Sequence, residues 1–135
     1  MDIANAKISI KGNFVTSSAN SSSIRLTMSS EKGYMLVYGN FTISSDCENT
    51  LSAGVLEVKG DFVQKGKGMS TTSISYNSGL NFPASGTHKV ILSGTEEQSV
   101  SFDSSKSSFN ILVNKNPNVS VKRSYYKYLY SKVPY

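Results

Sequence analysis

Few residues of this 135-residue chain are of types that do chemistry, and they are thinly spread. The one histidine, His88, sits in "SGTHKVIL", and the neighbouring sequence supplies no partner for acid–base work. Counted in steps of two from Val90, it points inward at a strand start, as a satisfied polar residue. The one cysteine, Cys47, lies between Asp46 and Glu48, whose charges disfavour a thiolate. It reads as an incidental thiol, and a disulfide within the chain is excluded. Serines abound, but no G-x-S-x-G turn marks a nucleophile. Glycoside hydrolysis needs two carboxylates about 5–9.5 Å apart. Asp46/Glu48, Glu96/Glu97 and Asp103 are instead scattered through turn-like sequence, which also argues against a calcium cluster. No catalytic residue, metal site or cofactor is assigned, and the chain is not read as an enzyme.

The densest chemical pattern lies at the C-terminal end, in "VKRSYYKYLYSKVPY". Residues 104–135 carry six Lys/Arg and no acid, whereas residues 1–103 carry eight Lys/Arg against nine Asp/Glu. The excess positive charge is thus a basic tail on a near-neutral body. Lys122, Arg123, Tyr125, Tyr126, Lys127, Tyr128 and Tyr130 are the candidate binding residues, with Lys132 and Tyr135 beyond them. Interleaved tyrosines and lysines suit a sugar chain or an anionic wall polymer. They suit single-stranded nucleic acid less well, because the basic charge is so local. The architectural reading is a cap or docking segment that stops open strand edges from adding to other chains.

The elements that must position these residues announce themselves by repetition. "KISIKGNFVT" (7–16), "YMLVYGNFTI" (34–43) and "VLEVKGDFVQ" (55–64) align on Gly12, Gly39 and Gly60. Four positions before each glycine stand Ile8, Met35 and Leu56. Two before stand Ile10, Val37 and Val58, and two after stand Phe14, Phe41 and Phe62. "HKVILSG" (88–94) is a partial fourth copy that departs at "TEEQ", and "FNILVNKNPNVSV" (109–121) keeps the strand pattern without a glycine. Units this small cannot bury a core alone, so they must stack. The expected fold is all-β: a short right-handed parallel β-solenoid over 1–121, closed by a capping or docking segment at 122–135. Equivalent residues should form ladders, with Gly-Asn/Asp as a corner that accepts φ > 0. An antiparallel β-sandwich is the alternative, since Gly-Asn also makes hairpin turns. The polar stretches between copies, 17–23, 65–79 and 103–109, absorb the differences in coil length. The segment "SYYKYLYSK" at 124–132 reads as a strand at least as readily as a helix.

The residues "AGVLEVKGDFVQK" (53–65) and "FPASGTHKVILSGTEEQSVSFDSSKSSFNILVNKN" (82–116) resemble repeat segments of clostridial and other Gram-positive cell-surface proteins. The resemblance implies a right-handed parallel β-helix with an adhesive or structural role, and no catalytic motif to carry over. The implied function is a non-enzymatic structural or adhesive module of a bacterial surface protein, or a self-associating fibre subunit. A carbohydrate-binding or carbohydrate-active β-helix is the alternative. The implied partners are further copies stacked end to end, or cell-wall or host polysaccharide. No apolar run approaches the roughly 20 residues a membrane span needs. The start, "MDIANAKISIKGN", lacks a secretory pattern, so a surface location expects this chain to be a piece of something longer; the cytoplasm is the alternative.

Overall fold

The computed structural model describes residues 1–17, 25–44, 49–65 and 82–131. The expectations for Asp46, Cys47, Glu48, Lys132 and Tyr135 lie outside those residues, as do most of the polar inserts at 17–23 and 65–79. The fold is all-β, with parallel strands stacked coil upon coil into a solenoid. One face is a six-stranded sheet of β1 (Lys7–Ile10), β4 (Tyr34–Val37), β7 (Val55–Val58), β9 (Lys89–Leu92), β11 (Phe109–Asn114) and β12 (Tyr126–Ser131), in that spatial order. A second face holds β2 (Phe14–Ser17), β5 (Phe41–Ser44), β8 (Phe62–Gln64) and β10 (Val100–Phe102). The third pairs β3 (Thr27–Met28) with β6 (Thr50–Leu51) and continues through the bridges Asp2↔Thr27 and Pro83↔Ser108. Every pairing is parallel, which rules out the antiparallel sandwich.

The ladders follow the glycine alignment. Ile8, Met35, Leu56, Val90 and Leu112 stand in register, as do Ile10, Val37, Val58 and Leu92. Phe14, Phe41 and Phe62 stack with centroids 5.1 Å apart and planes within 15° of parallel. Phe82 meets Phe41 and Phe62 edge-on at 6.2 and 5.0 Å, so the phenylalanines lock two faces together. Rings in these geometries add about 0.5–1.5 kcal/mol per pair beyond their buried area. Period-2 apolar residues become a core here because each strand borrows its neighbours above and below.

At the corner, side-chain oxygens bond upward from coil to coil. Asn13 Oδ1 accepts the backbone N–H of Asn40 (2.8 Å), Asn40 Oδ1 that of Asp61 (2.9 Å), and Asp61 Oδ1 that of Ser99 (2.8 Å). Asp61 therefore does what Asn13 and Asn40 do. Gly39 and Gly60 are needed at the corner for a different reason than left-handed backbone. Only Gly54 (φ 82) and Gly86 (φ 59) have positive φ among the described glycines. A Cβ on Gly60 would instead run into the carbonyl of Gly39 below it, whereas a Cβ on Gly12, in the first coil, would meet nothing within 4 Å. Gly60→Ala is expected to cost about 1–3 kcal/mol by overpacking, and Gly12→Ala close to nothing. Urea unfolding of the two variants checks the contrast, and equal losses would overturn it.

The "TEEQ" departure after Gly94 turns outward as an exposed loop, and Gln98 fills the corner. Its side-chain amide donates to the carbonyls of Val58 (2.9 Å) and Gly60 (2.6 Å), while its oxygen accepts from Asn116 Nδ2 (2.9 Å). A buried amide thus replaces the ladder where the repeat is broken.

His88 points inward, as expected from its step count, and is fully buried. It is not satisfied: neither ring nitrogen has a hydrogen-bond partner. The imidazole lies edge-on to Phe82 at 5.9 Å, in an apolar setting that holds it neutral and pushes its pKa down to about 4.

The C-terminal segment joins the solenoid instead of lying on it. A single 3-10 turn, Arg123–Tyr125, leads into β12, which pairs with β11. Val119, Val121 and Tyr126 pack on the core, and the Tyr125 ring meets Phe102 at 4.9 Å. Among the described residues, no helix is long and apolar enough to cross a membrane.

Candidate functional site

Parallel register places residues of one side-chain parity on the outer surface of the six-stranded sheet. One outward row reads Lys7, Tyr34, Val55, Lys89, Ile111, Tyr128, and the next reads Ser9, Leu36, Glu57, Ile91, Val113, Tyr130. A third, just past the strand ends, holds Lys11, Tyr38, Lys59, Ser93 and Lys115. Backbone bonds such as Lys59 N to Val37 O and Lys115 N to Leu92 O keep it in step. The face thus interleaves apolar and aromatic side chains with lysines. Lys11 sits over the Tyr38 ring at 4.2 Å, with Lys59 on the same ring at 5.9 Å.

Glu57 is set in the middle of this face. It accepts hydrogen bonds from Tyr34 Oη (2.7 Å) and Ser93 Oγ (2.7 Å), and Lys59 Nζ stands 3.9 Å away. Burial alone would raise its pKa. The hydrogen bonds from Ser93 and Tyr34, with the charges of Lys59 and Lys115, outweigh that and hold the carboxyl below its ordinary range. For Tyr34, burial first and the Glu57 bond and charge second push the phenol up to about 12. A carboxylate held ionised in this way is a weak base, so it leaves Ser93 unactivated. Chemically the cluster fixes charge: it pins Tyr34 and Ser93 and keeps Glu57 negative at neutral pH among cations.

Beside it lies a groove of about 340 Å³ lined by Lys89, Ile91, Ile111, Val113, Lys115 and Tyr130. Ile91, Ile111 and Val113 make an apolar floor, Tyr130 a wall, and the lysines stand at opposite ends. Their separation is four residues along the strand direction, about 13 Å. No carboxylate among the described residues lies within ion-pair distance of either lysine.

The seven residues singled out in the tail do not form one strip. Tyr125 and Tyr126 are half-buried and face the core, Lys122 and Arg123 are exposed around the 3-10 turn, and Lys127 is exposed on β12. Tyr128 and Tyr130 alone join the outer face. Lys11, Tyr34, Tyr38, Glu57, Lys59, Lys89, Ser93 and Lys115 were not picked out from sequence. For all but Lys115, whose copy has no glycine, the signal lies in the same glycine alignment, at the odd offsets one, three and five before each glycine. Glu96 and Glu97, with Asn118, border a separate polar hollow of about 440 Å³. Among the described residues, no three His, Cys, Asp or Glu side chains come together to hold a metal ion. Compared with protein-family models, curated proteins and solved structures, the chain matches none of them.

Proposed function

We propose that this chain is a non-enzymatic structural and adhesive module whose six-stranded sheet presents a binding face to an extended anionic polysaccharide. The observation that carries this reading is the groove of Ile91, Ile111, Val113 and Tyr130 with a lysine at each end. Apolar floor and aromatic wall favour ring faces, and the two lysines favour acidic groups spaced along a chain. A sheet face of this kind repeats its contacts at each strand, about every 4.8 Å, as a polymer ligand requires. Placement on a bacterial surface belongs to the same reading and draws on the resemblance of residues 53–65 and 82–116 to surface-protein repeats.

Retention on immobilised polygalacturonate, against a neutral dextran column, tests the proposal. Retention is expected on the acidic polymer only, weakening as salt rises. The double variant Lys89→Glu/Lys115→Glu reverses both charges on the groove and is expected to lose about tenfold in affinity. Equal retention of wild type and double variant would sink the reading.

A second reading, self-association by end-to-end stacking, is favoured by one observation. Ile8, Ile10 and Phe14 are only half-buried at the β1 end, whereas their equivalents Met35, Val37 and Phe41 are fully buried. Charge opposes it, because Lys7 and Lys11 at that end would face Lys122, Arg123 and Lys127 at the other. Sedimentation velocity of the whole chain over a range of concentrations distinguishes a stacking subunit from a monomer.

A further inference from the structure

The C-terminal segment closes the core of the solenoid but leaves its sheet open. Val119, Val121, Tyr125 and Tyr126 cover the apolar interior, while the outer edge of β12 pairs with nothing among the described residues. Natural edge strands are blunted by prolines, glycine bulges, charges or a covering loop. β12 reads "YKYLYS", with no Pro or Gly and one charge, Lys127. Tyr128, Leu129 and Tyr130 are 51, 40 and 59 % exposed, on a strand whose backbone groups still face outward for pairing. This is a template for one more strand.

We propose that the free edge of β12 receives an acidic, extended peptide segment as a seventh strand of the sheet. The charge around the edge selects the partner. Lys122, Arg123 and Lys127 flank it, no acid occurs from residue 104 onward, and none of the three forms an ion pair among the described residues. A second copy is disfavoured by the same charge, since its β12 edge would bring the same three cations and its β1 edge Lys7 and Lys11. A peptide supplies the alternating N–H and C=O groups that an edge needs, with side chains giving specificity. In register with β12, the fitting segment is acidic opposite Tyr126 and Lys127, beside the 3-10 turn that carries Arg123. It is β-branched or aromatic opposite Tyr128 to Tyr130. This inference does not depend on the polysaccharide reading, which uses the sheet face and its lysines.

Fluorescence anisotropy with the whole chain and a labelled peptide Glu-Glu-Glu-Val-Thr-Val tests it, with hydrogen exchange as a second readout. Saturable binding and slowed exchange of the β12 amides are expected. The variant Tyr128→Thr/Leu129→Thr keeps strand-forming residues and leaves the groove lining intact, and should weaken peptide binding by at least about tenfold. Its melting temperature should stay near that of the wild type. The same peptide methylated on alternate backbone nitrogens should fail to bind. Displacement of the peptide by polygalacturonate at equal charge, or full binding of the methylated peptide, would show a merely ionic contact and overturn the proposal. So would a dimer, seen by sedimentation, that protects the same β12 amides.

Discussion

Phe41→Ala is expected to destabilise the fold by about 3–5 kcal/mol, the cost of emptying a fully buried phenylalanine site. The ring has no exposed surface, stacks on Phe14 and Phe62 at 5.1 Å, and meets Phe82 edge-on. The site has little freedom to collapse, because the rung spacing on either side is fixed by parallel backbone pairing. Phe14 provides an internal control. It occupies the same ladder position one coil lower, is only half-buried, and has one stacking partner among the phenylalanines. Phe14→Ala should therefore cost less than half as much. Urea unfolding followed by circular dichroism gives both values; a loss below about 1 kcal/mol for Phe41→Ala would mean that its burial is not real.

The second large effect is a dependence of stability on acid, centred on His88. Its folded pKa of about 4 lies below the ordinary 6.5, so the folded state resists protonation while the unfolded chain accepts it. The sign follows. Stability from this group is full above pH 6.5, declines as the pH falls to about 4, and changes no further below that. The window corresponds to about 3 kcal/mol. His88→Leu should remove that slope. It should also raise stability at pH 7, because two buried nitrogens without partners are replaced by a hydrocarbon of similar size. Melting temperatures of both proteins from pH 4 to 7.5 decide the matter. Parallel curves would show that other groups carry the slope, Glu57 first among them.

These two cases show what a repeat discloses in advance. Phe41, Val37 and Met35 could be placed inward because three copies agreed on them, and each inward position has only one physical meaning. The same count points His88 inward. Its lack of partners could not be read, because that depends on Phe82, six residues earlier and on another face. The outward rows carried the candidate site and were equally periodic. Their residue types differ between copies, so the alignment alone does not mark them: Tyr34, Val55 and Lys89 share a row without sharing a chemistry. The tail hides its arrangement for a related reason. Tyrosines at 125, 126, 128 and 130 look like one strip in sequence, but strand alternation and the 3-10 turn send two to the core and two to the outer face.

Tension applied along the stacking axis would meet this protein at its weakest. The corner bonds from Asn13 to Asn40, Asn40 to Asp61 and Asp61 to Ser99 all run along that axis, as do the backbone bonds of the three faces. Pulled end from end, the coils carry the load in series, so resistance is set by a single rung and does not grow with the number of rungs. Pulled across the coils, the same bonds are sheared together. A molecule assembled this way is stiff toward forces that arrive from the side and peels readily from its ends, so the direction of attachment would decide how much load it bears.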